Sequence, residues 1–411
     1  MDMINSGDTA WVLVSSALVL LMTPGLAFFY GGMVRRKNVL SILMQCFIAI
    51  CVLSLQWVLF GYSLAFGPGN PFIGGLGWLG LNGVGLEPNP DYAATIPHQA
   101  FMIFQGMFAI ITPALIIGAF AERMKFAAYL LFIVLWATLV YDPICHMVWA
   151  VGGWVRGMGA LDFAGGTVVH INAGIAALVA ALVIGKRYGY DNKPTPLHNL
   201  PFTVLGAALL WFGWFGFNAG SALGAGALAT NAFVTTNTAA AAAGLSWAII
   251  EWLKSGKPTM FGVATGVVAG LVAVTPAAGF VTAMGALVIG LTVSIVCFFA
   301  VSFLKPKLGY DDSLDAFGVH GIGGIWGALM TGVFATTTVN SAGANGLIYG
   351  NPALVFIQLK AVAITVVYSA VMTFIILKVI DMIVGVRAGY EDEMMGLDLA
   401  DHHERAYTIL E

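Results

Sequence analysis

Apolar residues run through this chain in long blocks separated by short polar intervals. No Asp, Glu, Lys or Arg occurs in 9–34, 38–86, 92–121, 163–185, 194–250, 258–304 or 316–359. Runs such as Leu205–Trp211 and Ala283–Ala300 are apolar on every face, without the alternation that a transmembrane strand requires. A helix that is hydrophobic all round belongs in a bilayer or a deep core, and one crossing takes about 20 such residues. Pro, Gly and charge punctuation divides the chain into eleven segments, near 10–31, 41–66, 99–121, 125–148, 163–185, 200–220, 228–253, 259–276, 280–304, 317–337 and 353–385. The expected fold is an all-α polytopic membrane protein with eleven transmembrane helices. The last is too long for an upright crossing, so it should tilt or project.

Composition narrows the function classes. Of 411 residues 59% are apolar and 9% charged, whereas soluble domains carry about 25% charged residues. A soluble, disordered or disulfide-stapled secreted protein is excluded. The net charge of −3 offers no basic face to a nucleic acid. The four cysteines, Cys46, Cys51, Cys145 and Cys297, fall in or at the ends of segments without metal-ligand spacing and read as small core residues. Gly-rich strings such as Gly262-x-x-x-Gly266-x-x-x-Gly270 suit close helix contact. The start, Met1–Ala10, is acidic with no A-x-A site, so no cleaved signal peptide is expected.

The basic residues set an orientation. Arg35, Arg36, Lys37, Arg123, Lys125, Lys186, Arg187, Lys193, Lys254, Lys257, Lys305, Lys307, Lys378, Arg387 and Arg405 all fall on one side of the segment pattern. The opposite loops hold only Arg156, and Lys360 lies within the last segment. The basic side is expected to be the cytoplasm of a multi-pass cell-membrane protein, with the N-terminus outside and the C-terminus inside.

An ionisable group inside a span is costly and so reads as functional. The candidates are Asp142, His146, Asp162, His170, His320 and Lys360. His170 lies eight residues after Asp162 at the outer start of the fifth segment, and His320 five residues after Asp315 at the inner start of the tenth. Approaching from opposite faces, they are expected to meet near the middle, and they stand five segments apart. Segments 1–5 and 6–10 would then be inverted repeats with a site at their interface, giving half-repeats 1–185 and 200–338, a long helix 353–385 and a cytoplasmic tail 386–411. Neutral imidazoles can share a hydrogen bond and relay a proton. Asp162 can cap the fifth segment and favour a cation above it. Trp149 and Ser221 can hold a small cation through an indole face and a hydroxyl, although most Trp and Phe in such a chain are core or interfacial belt. His98, His198, His402 and His403 read as solvated loop or tail residues, and Asp142 as an outer helix-end residue.

These residues sit in blocks that resemble the Amt/Mep/Rh ammonium transporter family. The blocks are Gly25-LAFFYGGMVRRKNVL-Ser41, Phe104-QGMFAIITPALIIGAFAERMK-Phe126, His146-MV-Trp149, Asp162-FAGGTVVHINAGIAALVAALVIGK-Arg187, Trp211-FGWFGFNAGSA, Asp315-AFGVHGIGGIWG and the tail Gly396-LDLADHHERA-Tyr407. The resemblance implies an N-out/C-in protomer in a homotrimer with one pore per subunit; the residues themselves offer no metal cluster or nucleophile constellation, so no cofactor, metal or enzyme activity is expected. It implies an ammonium-recruiting vestibule at Trp149, Phe108 and Ser221, a gate of Phe108 and Phe217, a twin-histidine pore of His170 and His320, a structural or electrostatic Asp162, and supporting aromatics Phe104 and Trp214. Ser221 keeps the hydroxyl of the Amt branch. The expected function is ammonium transport with deprotonation at the vestibule and passage of ammonia. An ammonium sensor or an Rh-like neutral gas channel are the alternatives, the sensor disfavoured because about 26 residues follow Gly385. A PII-type signal protein is an implied partner at the cytoplasmic face. The family's tail usually reads His-Gly-Glu where this chain has His402-His403-Glu404, a change that removes easy access to positive φ.

Overall fold

A computed structural model describes residues 4–190 and 197–407. Lys193 and the first three residues lie outside them. Helices occupy the segments that the hydrophobic blocks mark out: α1 (Ser6–Met33), α2 (Arg36–Phe66), α3 (His98–Phe120), α4 (Phe126–Gly157), α5 (Gly166–Ile184), α6 (Leu200–Gly220), α7 (Ala227–Ser255), α8 (Met260–Val274), α9 (Ala283–Leu308), α10 (Phe317–Phe334) and α11 (Ala353–Val384). Ten are long and apolar enough to cross a membrane, and α8 is shorter at 15 residues, about 22 Å at 1.5 Å per residue. Side chains such as Leu55, Leu245, Phe356 and Val367 are more than half exposed on the helical surface. Water penalises such a surface and lipid does not, so the chain is a polytopic helical membrane protein.

Close helix contact follows from the glycines. Gly206, Gly213 and Gly216 put α6 directly against Phe29, Met22 and Ser15 of α1. The expected Gly266 and Gly270 contacts bring α8 onto the backbone of Ala243 and Ala239 in α7. The all-α expectation needs one addition. Between α2 and α3, β1 (Gly69–Asn70) pairs with β2 (Ile73–Gly74) and β3 (Pro88–Asn89) with β4 (Ala93–Pro97) as small antiparallel hairpins.

On the face that carries the basic loops, two short helices, α12 (Tyr390–Met395) and α13 (Leu397–His402), follow α11. They dock on the earliest helices. Lys125 N–H donates to Val386 O at 3.0 Å and Ala388 N–H to Arg123 O at 2.9 Å. Asp398 accepts from the Ser41 N–H at 2.8 Å, and Asn38 accepts from the Leu397 N–H at 2.8 Å. Beneath them, Glu122 is bridged by Arg35 at 2.6 Å and Arg187 at 3.3 Å, and Asp311 takes Arg187 at 2.9 Å and Arg123 at 3.6 Å. His403 closes α13 with φ +55°, so it adopts the left-handed conformation for which a glycine is better suited.

Several polar residues sit otherwise than expected. His98 is buried at the start of α3, its Nε2 2.6 Å from the Tyr62 hydroxyl. His198 is half-buried between Val34 O at 3.0 Å and the Tyr407 hydroxyl at 3.0 Å. Asp142 is not at a helix end: it is buried inside α4 and accepts from the Gln56 amide at 2.9 Å. His146 is buried with both ring nitrogens against backbone, Ala65 O at 3.1 Å and Asn70 O at 2.8 Å, and so fastens the β1 hairpin rather than a pore. Cys51 faces outward, whereas Cys46, Cys145 and Cys297 are buried as expected.

Candidate functional site

The site is organised by two local departures from α-helical geometry. α5 opens with a π-helical turn, Gly166–Ile171, and α10 with another, Phe317–Gly321. The wider π turn sets a side chain off the α register, as at many functional sites, and each turn carries one histidine, His170 or His320. Each is also held by an aspartate eight residues before that histidine. Asp162 accepts from the N–H groups of Gly165, Gly166, Thr167 and Val168 at 2.9, 2.6, 2.8 and 3.1 Å. Gly165, at φ +114°, bends the chain into that cap. Asp312 accepts from Ala316 and Phe317 at 3.1 and 2.8 Å. Asp315, nearer to His320 in the chain, pairs with Lys305 at 2.6 Å.

The two turns meet where α5 crosses α10. A Cβ on Gly174 would collide with the backbone nitrogen of Gly321, so glycine is required at this approach. The crossing leaves His170 Nδ1 and His320 Nδ1 3.3 Å apart, with rings 26° from parallel. One nitrogen must donate and the other accept, so the pair shares a single proton there. His170 Nε2 is buried with no hydrogen-bond partner among the described residues. A buried unpaired ring nitrogen costs about 1–3 kcal/mol, which a hydrogen-bonding guest would relieve.

Aromatic rings continue the line from this pair. His170 stacks on Phe217 at 5.9 Å and on Trp214 at 5.4 Å between centroids. Phe217 lies 4.3 Å from Phe108, and Phe108 stands edge-on to Phe104 at 5.0 Å and to Trp149 at 5.8 Å. Hydrogen bonds fix the larger rings: the Trp214 indole donates to Thr275 at 2.9 Å and the Trp149 indole to the Asp162 carbonyl at 2.9 Å. Trp149, Phe108, Phe217, His170 and His320 thus form one contiguous row of rings.

Cavities flank the row unevenly. Trp149 and Ser221 line a vestibule of about 190 Å³ on the face opposite the basic loops. The Ser221 hydroxyl donates to Phe217 O at 2.8 Å, which leaves its lone pairs free to accept. Beyond the Phe108/Phe217 contact lies a space of about 10 Å³ bounded by His170, His320 and Trp214, then a second of about 10 Å³ between His320 and Phe261. Each holds about one water-sized molecule. A cavity of about 460 Å³ opens beyond them toward Arg187 and Lys305.

Sequence reasoning missed Gln105 and Asp312. Gln105 lines the vestibule with Trp149 and Ser221, and its amide oxygen is buried without a partner among the described residues. Its place next to Phe104 in the chain was the available signal. Among the described residues no group of three or more His, Cys, Asp or Glu is disposed to hold a metal ion.

Known proteins resemble the chain along nearly its whole length. A family model described as the Ammonium Transporter Family matches residues 10–407. The ammonium transporter of Bacillus subtilis is 57% identical over 401 residues, 98% of each chain. The ammonium transporter Amt1 of Archaeoglobus fulgidus is 49% identical, covering 98% of this chain and all of its own. Among solved structures, Candida albicans Mep2 superposes with a TM-score of 0.90 at 37% identity, over 98% of this chain and 90% of its own. A sensor Amt protein superposes at 0.87 and 30% identity, over 96% and 98%.

Proposed function

The chain belongs to the ammonium transporter family, and from that premise we propose that it moves ammonium across the cell membrane by binding it as a cation and passing it as ammonia. The observation that carries this reading is the change of environment along one row, from a vestibule with acceptors, past two contacting phenyl rings, into single-molecule spaces walled by apolar side chains and two histidines.

Ammonium and potassium are similar in size, so selection must use chemistry. The Trp149 face attracts a cation, and the Ser221 hydroxyl accepts from one of its N–H groups. Past Phe108 and Phe217 a bare charge is heavily penalised. Ammonium can hand its proton to water in the vestibule and enter as neutral ammonia; potassium has no such option. The unpaired His170 Nε2 then hydrogen-bonds ammonia in the narrow space, while the His170–His320 bond holds the two rings in register. The proton travels separately, with the same histidine pair as its relay.

The topological part of the proposal is an eleven-helix protomer with α8 as one crossing, inverted halves 1–185 and 200–338, the long helix 353–385 and the tail 386–411. The basic face is cytoplasmic and the vestibule outside. Three copies assemble through their exposed apolar helix faces, and a PII-type protein meets the face that carries α12 and α13.

Proteoliposomes test the transport reading. Ammonium pulses should evoke a current that equal pulses of potassium do not. His170→Ala combined with His320→Ala should abolish that discrimination. Unchanged selectivity in the double variant would remove the histidines from the mechanism, and absence of any wild-type current would favour a neutral gas channel.

A further inference from the structure

Arg156 is the one basic residue that the chain places among the loops opposite its basic face. On the transport reading above, a cation must pass it, because Arg156 lines the same vestibule as Trp149 and Ser221. Its position is built rather than incidental. Nη1 donates to the Trp149 carbonyl at 2.6 Å, where the long helical run of α4 ends as Ala150 turns extended and the helix dipole favours a positive charge. Trp149 is therefore tied at both ends, its carbonyl to Arg156 and its indole to Asp162.

The same cavity is lined from another side by Asp91, in the turn between β3 and β4. Both charges are exposed, and no ion pair within 4.0 Å joins either of them to a partner among the described residues. Tyr92 stands within range of both. Burial pushes its hydroxyl up to about 12, while Arg156 pulls it down and Asp91 pushes it up. Opposite charges in contact would cancel. Kept apart on the lining of one cavity, each acts on whatever enters.

We propose that Asp91 and Arg156 are an opposed pair of specificity-determining charges at the vestibule, with Asp91 concentrating ammonium beside Trp149 and Arg156 limiting how long any cation stays. The pair sets half-saturation and leaves the maximal rate to the gate and pore. In water a unit charge 4–8 Å from a cation changes its occupancy by about two- to fivefold. The two residues act with opposite sign. Screening removes the effect once the Debye length falls from about 30 Å at 0.01 M salt to about 3 Å at 1 M.

The test uses the full chain in proteoliposomes, with ammonium-evoked current titrated at about 0.01 M and about 1 M ionic strength. Asp91→Asn should raise half-saturation about two- to fivefold at low salt, and Arg156→Gln, which keeps a donor for the Trp149 carbonyl, should lower it by a similar factor. The double variant should return close to wild type. Arg156→Lys, which preserves the charge, should stay near wild type, and all the differences should shrink at high salt while the maximal current holds. Shifts of the same sign in both single variants, or shifts that survive high salt, would overturn the charge pair and leave transport standing. A wild type without ammonium-evoked current overturns both.

Discussion

Replacing Asp162 with asparagine changes the chemistry of one atom and removes half of a four-bond cap. One carboxylate oxygen accepts from Gly165 and Gly166, the other from Thr167 and Val168, all within 3.1 Å. An amide retains one acceptor and points an NH₂ group at two backbone donors. Because Asp162 is only 9% exposed, water cannot readily substitute. Two buried N–H groups without partners cost about 1–3 kcal/mol each, or about 2–6 kcal/mol together. If that penalty falls on the turn itself, the ratio of formed to opened turn drops by a factor of about 30 to 10⁴, at about 1.4 kcal/mol per tenfold. The turn carries His170, and the Asp162 carbonyl anchors Trp149, so vestibule and pore should both lose their geometry. Ammonium-evoked current in proteoliposomes should fall below about one tenth, and the melting midpoint followed by tryptophan fluorescence in detergent should drop. Asp162→Ala, which loses all four bonds, should be worse. Wild-type current together with unshifted melting in the asparagine variant would refute the capping argument.

At the α5–α10 crossing, Gly174→Ala should cost about 1–3 kcal/mol by overpacking against Gly321 and part the histidines. Its melting should fall along with its current, and a variant that melts normally with full current would show that the contact relaxes. His403→Gly should relieve left-handed strain of about 1 kcal/mol; proteolysis of 397–407 should slow about fivefold, and an unchanged rate would place no strain there. Burial raises the Glu122 and Asp311 carboxyls, but for Glu122 the charges of Arg187 and Arg35, and for Asp311 the Arg187 bonds with the Arg123 charge, outweigh it and hold both below their ordinary 4.5 and 3.8. Depressed carboxylates stabilise at pH above the ordinary value and lose that contribution only as pH falls through the lowered one. The ion pairs beneath the tail should therefore hold from pH 7 to 5 and release only below about 4, read as the melting midpoint against pH. Release near pH 6 would implicate His198 instead.

Much of the helical plan was legible because apolar runs and their interruptions are local, and burial in lipid follows directly from them. The histidines were legible for the same reason: a titratable group within a charge-poor segment stands out. What was not legible depends on path. Asp311, Asp312 and Asp315 lie within five residues, yet one binds Arg187, one caps a helix and one pairs with Lys305. No spacing rule separates those roles before the backbone turn is known. The π turns that carry both histidines have no marker in side-chain pattern, and the buried partners of Asp142 and His98 come from α2, far away in the chain. His403 shows the reverse case: a residue that reads as a poor fit for a left-handed turn is held in one by the contacts of the tail.

The docking of Asp398 onto the Ser41 amide and of Leu397 onto Asn38 joins positions more than 350 residues apart. A ribosome emits the beginning of α2 long before the group that satisfies it. Throughout synthesis, then, the first helices wait with an open amide, and only arrival of the last few dozen residues fills it. Any chain cut short, or any helix threaded in the wrong direction, leaves that amide unmet. The cap on the first turn of α2 is therefore among the latest contacts to form, although the helix it completes is among the earliest made.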